Sequence, residues 1–417
     1  MMNSATLRLV LLVSCAHALV HIYEHSFASV EQLVAADPAF HIDKADETKV
    51  TGKLGSCLRL PFGICALAAG WLADRFGAKR LLMFYLIGCS LASAMAWLAP
   101  NLGFLFLAMF TLGVFASIYH PAGVSLITHH TNPENRPMAL GYHGILGSAG
   151  IAAGPLLAGL VLGTGASWHQ YYLVLTVPGV LLAVLLALRL AHHQQHSLSA
   201  ESKSPDTYQE DSACWASYFV LLATTSLAGI VYAGVLNFLP RYLGNTGLNF
   251  AHVPEESLRN YLTSAVLLLG IIGQYAAGRI ATPATLELLM ACAFLAATPC
   301  VMWMGLAHGV TRLWAAAVFS PLFFMQQPLF NSLVAKYVPR RRRSTCYGLS
   351  FTLGFGIGST GPTIAGYAPN DLIRYGTLAA LLAVAACLAL LLWRWNRPTA
   401  DEVVHPPEPL DEEEALF

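Results

Sequence analysis

His17, His21, Glu24 and His25 lie close together in a stretch that is otherwise almost wholly apolar. At about 100° per residue, a helix gathers them into an arc of roughly 100°, one face. Ionisable side chains in apolar surroundings are costly and mark a site by default. Three chemistries are open to such a face. A histidine beside a carboxylate titrates near physiological pH, so Glu24 with His21 or His17 can act as a protonation switch. Imidazoles at HxxxH spacing, with a carboxylate, suit Zn²⁺, Fe²⁺ or Ni²⁺, alone or in a chelate. The third possibility is that the histidines only make hydrogen bonds between helices, with His25 the first candidate. The protonation switch is the reading carried forward, and no metal ligand is assigned.

His120 and His143, in two further apolar runs, join this set. Polar groups in later runs are Tyr232, Asn237, Gln274, Gln326 and Gln327. One part of the chain is therefore titratable at depth, and the other is polar but neutral.

The surroundings that must position these residues are set by composition. Of 417 residues, 56% are hydrophobic and only 11% charged. Soluble domains carry about 25% charged residues, so lipid is the solvent for most of this chain. Lysine plus arginine (23) balances aspartate plus glutamate (23), which gives no argument for nucleic acid. Nine cysteines are scattered with no CxxC pair and read as small buried hydrophobes.

A helix needs about 20 apolar residues to cross a bilayer. Such runs fall near 6–34, 48–72, 80–99, 103–128, 138–163 and 171–191, then 214–243, 257–280, 286–306, 310–334, 346–368 and 370–394. The first is read as a span rather than a removed signal peptide, because it lacks a small-residue cleavage site. The expectation is an all-α integral membrane protein of twelve transmembrane helices. Residues 1–191 form one six-helix bundle and 214–394 a second. A polar linker covers 192–213 and an acidic, disordered tail 395–417.

Basic residues near helix ends set orientation. Arg75, Lys79, Arg80, Arg136, Arg279, Lys336 and Arg340 to Arg343 lie in one set of loops, with Arg8, Arg189, Lys203, Arg394 and Arg397 near the linker and termini. Lys44, Lys49, Lys53, Arg241, Arg259, Arg312 and Arg374 lie on the other side. The division, 15 against 7, predicts both termini in the cytoplasm of a bacterial cell, with the protein in its inner membrane.

The two halves repeat. Arg136 and Arg343 are separated by 343 − 136 = 207, and the same offset links Gly141 with Gly348, Gly154-Pro155 with Gly361-Pro362, Gly159 with Gly366, and His120-Pro121 with Gln327-Pro328. Such a parallel repeat implies pseudo-symmetric bundles about an axis along the membrane normal, with a solute site between them near mid-membrane.

Between the second and third runs lies Gly70-Trp-Leu-Ala-Asp74-Arg75-Phe-Gly77-Ala-Lys79-Arg80. This resembles the cytoplasmic loop motif of the major facilitator superfamily. Gly70 permits close helix approach and Gly77 a tight turn, while the basic pair anchors the loop. The resemblance implies that Asp74 sits against the start of the eleventh span and latches one access state, making Gly70, Asp74, Arg75, Gly77, Lys79 and Arg80 gating residues. The run from Gly144 to Gly159 is similar to a glycine-rich fifth-helix motif of exporters in that superfamily, and adds Gly154, Pro155, Gly361 and Pro362 as hinge positions. The first span and Tyr119-His120-Pro121 resemble fosmidomycin-resistance-type exporters. The fourth span lacks the arginine-glycine motif of many proton-coupled members, and the loop at Gly278-Arg279 has lost the acidic residue.

The function expected is secondary active transport of a small solute by alternating access, with the proton as coupling ion and export favoured, as in an efflux antiporter. The alternatives are transport of a transition metal or metal chelate, and a non-transporting sensor. No enzyme activity, cofactor or nucleic-acid partner is expected, since neither a phosphate-binding loop nor histidine boxes are present. The protein is expected to act as a monomer in the lipid bilayer.

Overall fold

A computed structural model describes residues 4–131, 135–191, 213–339 and 342–397. The expected linker and tail lie almost wholly outside the described residues. The first half is built from α1 (Ser4–Ala35), α2 (Glu47–Phe76), α3 (Ala78–Trp97), α4 (Leu102–Ala116), α5 (Tyr119–His129), α6 (Arg136–Leu162) and α7 (Trp168–Ala191). The second half comprises α8 (Trp215–Gly244), α9 (Glu255–Ile280), α10 (Leu286–Leu306), α11 (Thr311–Phe324), α12 (Gln326–Tyr337), α13 (Arg343–Gly358), α14 (Thr360–Tyr367) and α15 (Asp371–Trp395).

Eleven of the twelve expected spans are helical stretches long and apolar enough to cross a membrane. The remaining one, over 346–368, is split into α13 and α14. Proline explains the interruptions. It lacks an N–H and its ring clashes with the carbonyl four residues back. Pro121 disturbs the turn at Ser117, where α4 gives way to α5, and Pro328 disturbs the turn at Phe324, where α11 gives way to α12. These two breaks are repeat equivalents. Pro155 and Pro362 are equivalent too, yet α6 runs through Pro155 while α13 stops at Gly358. The difference lies one turn earlier, where Ala152-Ala153 in the first half corresponds to Ser359-Thr360 in the second. The Ser359 hydroxyl bonds the Gly356 carbonyl and the Thr360 hydroxyl that of Ile357, which bends a helix already weakened by proline.

Each half has its own apolar core. One is drawn from Leu9 to Leu186; the other spans Tyr218 to Leu392 and takes only Ile151 and Ala152 from the first half. Large apolar side chains such as Phe84, Leu188 and Tyr275 point outward, as a lipid-facing surface requires. Cys15, Cys214, Cys292 and Cys387 are exposed, so the expectation of buried cysteines does not hold for them.

The halves press together at one end and part at the other. Five turns of helix are about 18 residues, so Gly141 and Gly159 share a face of α6. A Cβ on Gly159 would lie 2.6 Å from the Tyr261 ring of α9, whereas one on Gly141 meets nothing within 4 Å. Their repeat equivalents behave alike: a Cβ on Gly366 would lie 2.2 Å from the Thr48 carbonyl oxygen, and Gly348 faces open space. The closed end is that of the α1–α2 loop. There Arg241 donates to both Glu31 carboxylate oxygens at 2.9 Å and to Glu47 at 3.3 Å. Asn260 donates to the Ser29 carbonyl at 2.9 Å and Thr48 to that of Gly366 at 2.8 Å.

Gly77, between α2 and α3, has φ of 89°, the conformation expected of its turn. Gly70 does not mediate the close approach expected of it, since a Cβ there would sit 3.7 Å from Pro121, an ordinary contact. The tight approach is made by α6 on α1, where a Cβ on Gly150 would lie 2.4 Å from the Ala18 carbonyl oxygen. Gly150→Leu is therefore expected to destabilise the purified protein by roughly 1–3 kcal/mol, while Gly70→Ala stays within about 0.5 kcal/mol of wild type. Thermal unfolding in detergent checks this, and equal effects of the two would refute the packing described.

Candidate functional site

Four imidazoles meet at mid-depth of the first bundle. His17 lies about 20 Å along α1 from its start, at 1.5 Å per residue. Its ring stacks on His143 of α6 at 3.9 Å, lies 5.0 Å from His21, and meets His120 of α5 edge-on at 5.2 Å. His21 and His120 are 5.7 Å apart. Gly147 makes room, because a Cβ there would lie 2.2 Å from the His17 ring. The glycine-rich face of α6 thus seats α1 and its histidines, with Gly154 against His25 and Ile22. Phe62, Phe351 and Phe355 form an aromatic wall beside His120.

Tautomers follow from partners. His17 Nδ1 donates to the His143 carbonyl at 2.7 Å, and His21 Nδ1 donates to Glu24 Oε2 at 2.8 Å. In the neutral imidazole each of these bonds leaves Nε2 without a proton and able to accept. The Nε2 atoms of His120 and His143 are buried and have no hydrogen-bond partner.

Glu24 is wholly buried, and its second oxygen accepts from Arg59 of α2. Arg59, itself 3% exposed, also lies over the Tyr232 ring at 5.5 Å. His25 Nε2 and the Tyr232 hydroxyl are 3.1 Å apart. These two residues are 207 apart, the repeat offset, so equivalent positions of α1 and α8 meet across the pseudo-twofold axis. His25 makes the interhelical bond expected of it, and it makes that bond between the bundles.

The amides form a second group. Gln274 of α9 accepts from Ser148 of α6 at 2.7 Å and donates to Gln327 of α12 at 2.8 Å. Ser148 follows Gly147, which places this group beside the histidines. Gln326 is half-buried at the start of α12. Asn237 does not join either group: it packs against Gly55 of α2, with its Nδ2 buried and unpartnered. Of the gating residues, Arg75 is exposed over Trp71 and Phe76, and Lys79 and Arg80 lie in the first turn of α3. Gly361 packs on α8, where a Cβ would lie 2.1 Å from the Ile230 carbonyl oxygen, and the Pro362 carbonyl lies against Gly52. The expected contact of Asp74 with the eleventh span falls outside the described side chains.

Sequence reasoning missed Arg59. The signal was present: 22 of the 23 basic residues lie near helix ends or in the linker, and Arg59 is the one left inside a span. Glu31 was overlooked for the same reason, as was its partner Arg241, which had been read as a loop charge.

The sequence model described as the Major Facilitator Superfamily matches residues 38–362. The chain belongs to the major facilitator superfamily. Among similar proteins, the puromycin resistance protein pur8 of Streptomyces alboniger is 35% identical over 42% of this chain and 32% of its own length. The multidrug efflux pump LfrA of Mycolicibacterium smegmatis is 32% identical over 40% and 30%, and the methylenomycin A resistance protein of Bacillus subtilis 26% over 52% and 48%. The chain thus spans from about a third to a half of these relatives. The same fold occurs in a bacterial homologue of the human lysosomal transporter Spinster, with a TM-score of 0.74 at 15% identity over 94% of this chain and 98% of that one. A peptide transporter in complex with alafosfalin gives 0.70 at 15% identity over 93% of both. The eleven long apolar helices among the described residues agree with the multi-pass membrane architecture of this superfamily.

Breaking a buried pair by removing one partner costs about 3–5 kcal/mol, while replacing both by apolar residues is often neutral. Arg59→Met alone is expected to lose stability of that order in detergent, and Arg59→Met/Glu24→Leu to recover most of it. A double variant no more stable than the single one would contradict the pairing.

Proposed function

We propose that this transporter exports a small solute in exchange for protons, with Glu24 as the protonation site. The carrying observation is the buried Glu24–Arg59 pair in contact with the other bundle through Tyr232 and His25. Protonating Glu24 removes its attraction for Arg59, and Arg59 stands against the ring of Tyr232. A proton on one bundle thereby changes the forces on the other, the link that alternating access requires. The charged and titratable groups facing Glu24 are Arg59, His21 and His25; the two imidazoles can pass the proton on, while Arg59 stays a cation.

The moving units are the bundles at 1–191 and 214–394, joined by the linker 192–213, with Asp74 and Arg75 at the cytoplasmic latch. The 15-to-7 asymmetry of basic residues supports a bacterial inner-membrane protein with both termini on the cytoplasmic side. The parted end then faces the cytoplasm, and the Glu31–Arg241–Glu47 layer seals the outer side. Solute loads from within, which agrees with the resistance and efflux names of the relatives.

In liposomes with an imposed pH gradient, Glu24→Gln is expected to lower solute movement at least tenfold while the protein stays folded and inserted. Undiminished pH-driven transport by that variant sinks the coupling role.

A further inference from the structure

The imidazole cluster holds more donor atoms than proton exchange at Glu24 uses. One ligand nitrogen from each of His17, His21 and His120 lies within 4.8 Å of the others. By elimination the available atoms of His17 and His21 are Nε2, since each Nδ1 is held by an acceptor. The Nε2 of His120 is buried with no partner. A buried polar atom left unpaired costs about 1–3 kcal/mol. A second such atom, Nε2 of His143, lies on the ring stacked against His17.

Hydrogen bonds within the described residues do not account for this arrangement, because the ligand nitrogens gather within 4.8 Å of one another and the buried Nε2 of His120 meets no donor. A cation supplies what they lack. Metal-bound histidines characteristically donate their other ring N–H to a carbonyl or a carboxylate, which fixes tautomer and ring orientation. His17 does so to the His143 carbonyl, and His21 does so to Glu24.

We infer that His17, His21 and His120 bind a divalent transition-metal ion of the Zn²⁺, Co²⁺ and Ni²⁺ class through their Nε2 atoms, and that the transported solute is this ion or a chelate of it. The second half rests on the proton-coupled transport proposed above. Imidazole suits this class of ion. Metal–nitrogen bonds of about 2.0–2.1 Å put tetrahedral ligand nitrogens about 3.4 Å apart, so the rings close on the ion by modest rotation. Three protein ligands leave a coordination position open, unlike structural sites, which take four. An open position lets an anionic chelator stay attached to the ion, and it keeps the ion exchangeable. Glu24 supplies negative charge beside the site, and the Phe62, Phe351 and Phe355 rings stand on the His120 side of it.

Binding is tested apart from transport. The full chain purified in detergent is titrated with Co²⁺, read by its visible ligand-field spectrum, and with Zn²⁺ against a chromophoric chelator. One ion per chain is expected, with at least a tenfold loss of affinity in each of His17→Ala, His21→Ala and His120→Gln, and none in His308→Ala, an exposed control. Thermal stabilisation of wild type by Zn²⁺, absent from the same three variants if folded, guards against reading misfolding as lost ligation. No bound ion, or an affinity indifferent to all three substitutions, overturns the site. Liposomes then receive free Zn²⁺ or Zn²⁺ citrate with radiolabelled citrate, under a pH gradient. Zinc moving alone identifies the free ion, and zinc moving with label identifies a chelate. Bound metal combined with pH-driven movement of some other solute overturns the cargo assignment. Bound metal with no pH-driven movement of anything overturns the transporter's coupling instead.

Discussion

A carboxylate in the middle of a lipid-embedded bundle cannot stand alone. In a low dielectric its charge costs several kcal/mol unless it is paired and hydrogen-bonded. Glu24 is wholly buried in α1, and its two oxygens divide the work: one accepts from Arg59 and the other from His21. Much of the first bundle follows from that requirement. Arg59 must project from α2, and Pro61 follows it within the same helix. The α6 backbone must come close enough for His143 to offer its carbonyl to His17, which explains why Gly147 and Gly150 face α1.

The repeat governs how this charge is exposed to the second bundle. Because α1 and α8 are equivalent, they cross near the pseudo-twofold axis, and His25 meets Tyr232 there. The same symmetry sets the hinges. Equivalent prolines break the fourth and tenth spans at equivalent turns, so both bundles can bend at one level. Equivalent glycines report the closure: Gly159 and Gly366 are pressed against the opposite half, and Gly141 and Gly348 are free. The split of the eleventh span departs from that symmetry. Two hydroxyls replace two methyls there, and the proline then ends the helix.

The spans, the repeat and the histidine face were legible in the sequence because each is a one-dimensional pattern. Apolar runs, a fixed offset and a helical arc need no knowledge of neighbours. Gly77 was legible for a similar reason, since a turn is local. Arg59 was not found because arginines were sorted by helix ends, and a mid-span arginine has meaning only once its partner is known. The surroundings of Asn237 were not legible, because polarity at depth does not say which way a helix faces; in the structure it meets Gly55 of the other half. Arg241 read as a loop charge until the tertiary structure carried Glu31 to it across 210 residues of chain. The assignment of tautomers, on which the site's chemistry turns, depends wholly on acceptors contributed by other residues.

The two proposals share one atom group, and this constrains them jointly. Glu24 orients the His21 imidazole through Oε2 and neutralises Arg59 through Oε1. A proton on that carboxylate therefore weakens both relationships at once. On the side of α2 it frees the guanidinium to strengthen its contact with the Tyr232 ring, which belongs to the other bundle. On the side of α1 it removes the acceptor that holds His21 with Nε2 turned toward His17 and His120. A metal ion at the three imidazoles pulls the opposite way, because its charge favours an ionised neighbour. Proton and metal then compete through electrostatics without sharing a ligand, and thermodynamic linkage makes the competition reciprocal. Antiport in which proton entry expels the cargo needs no further coupling device than this carboxylate placed between two cations.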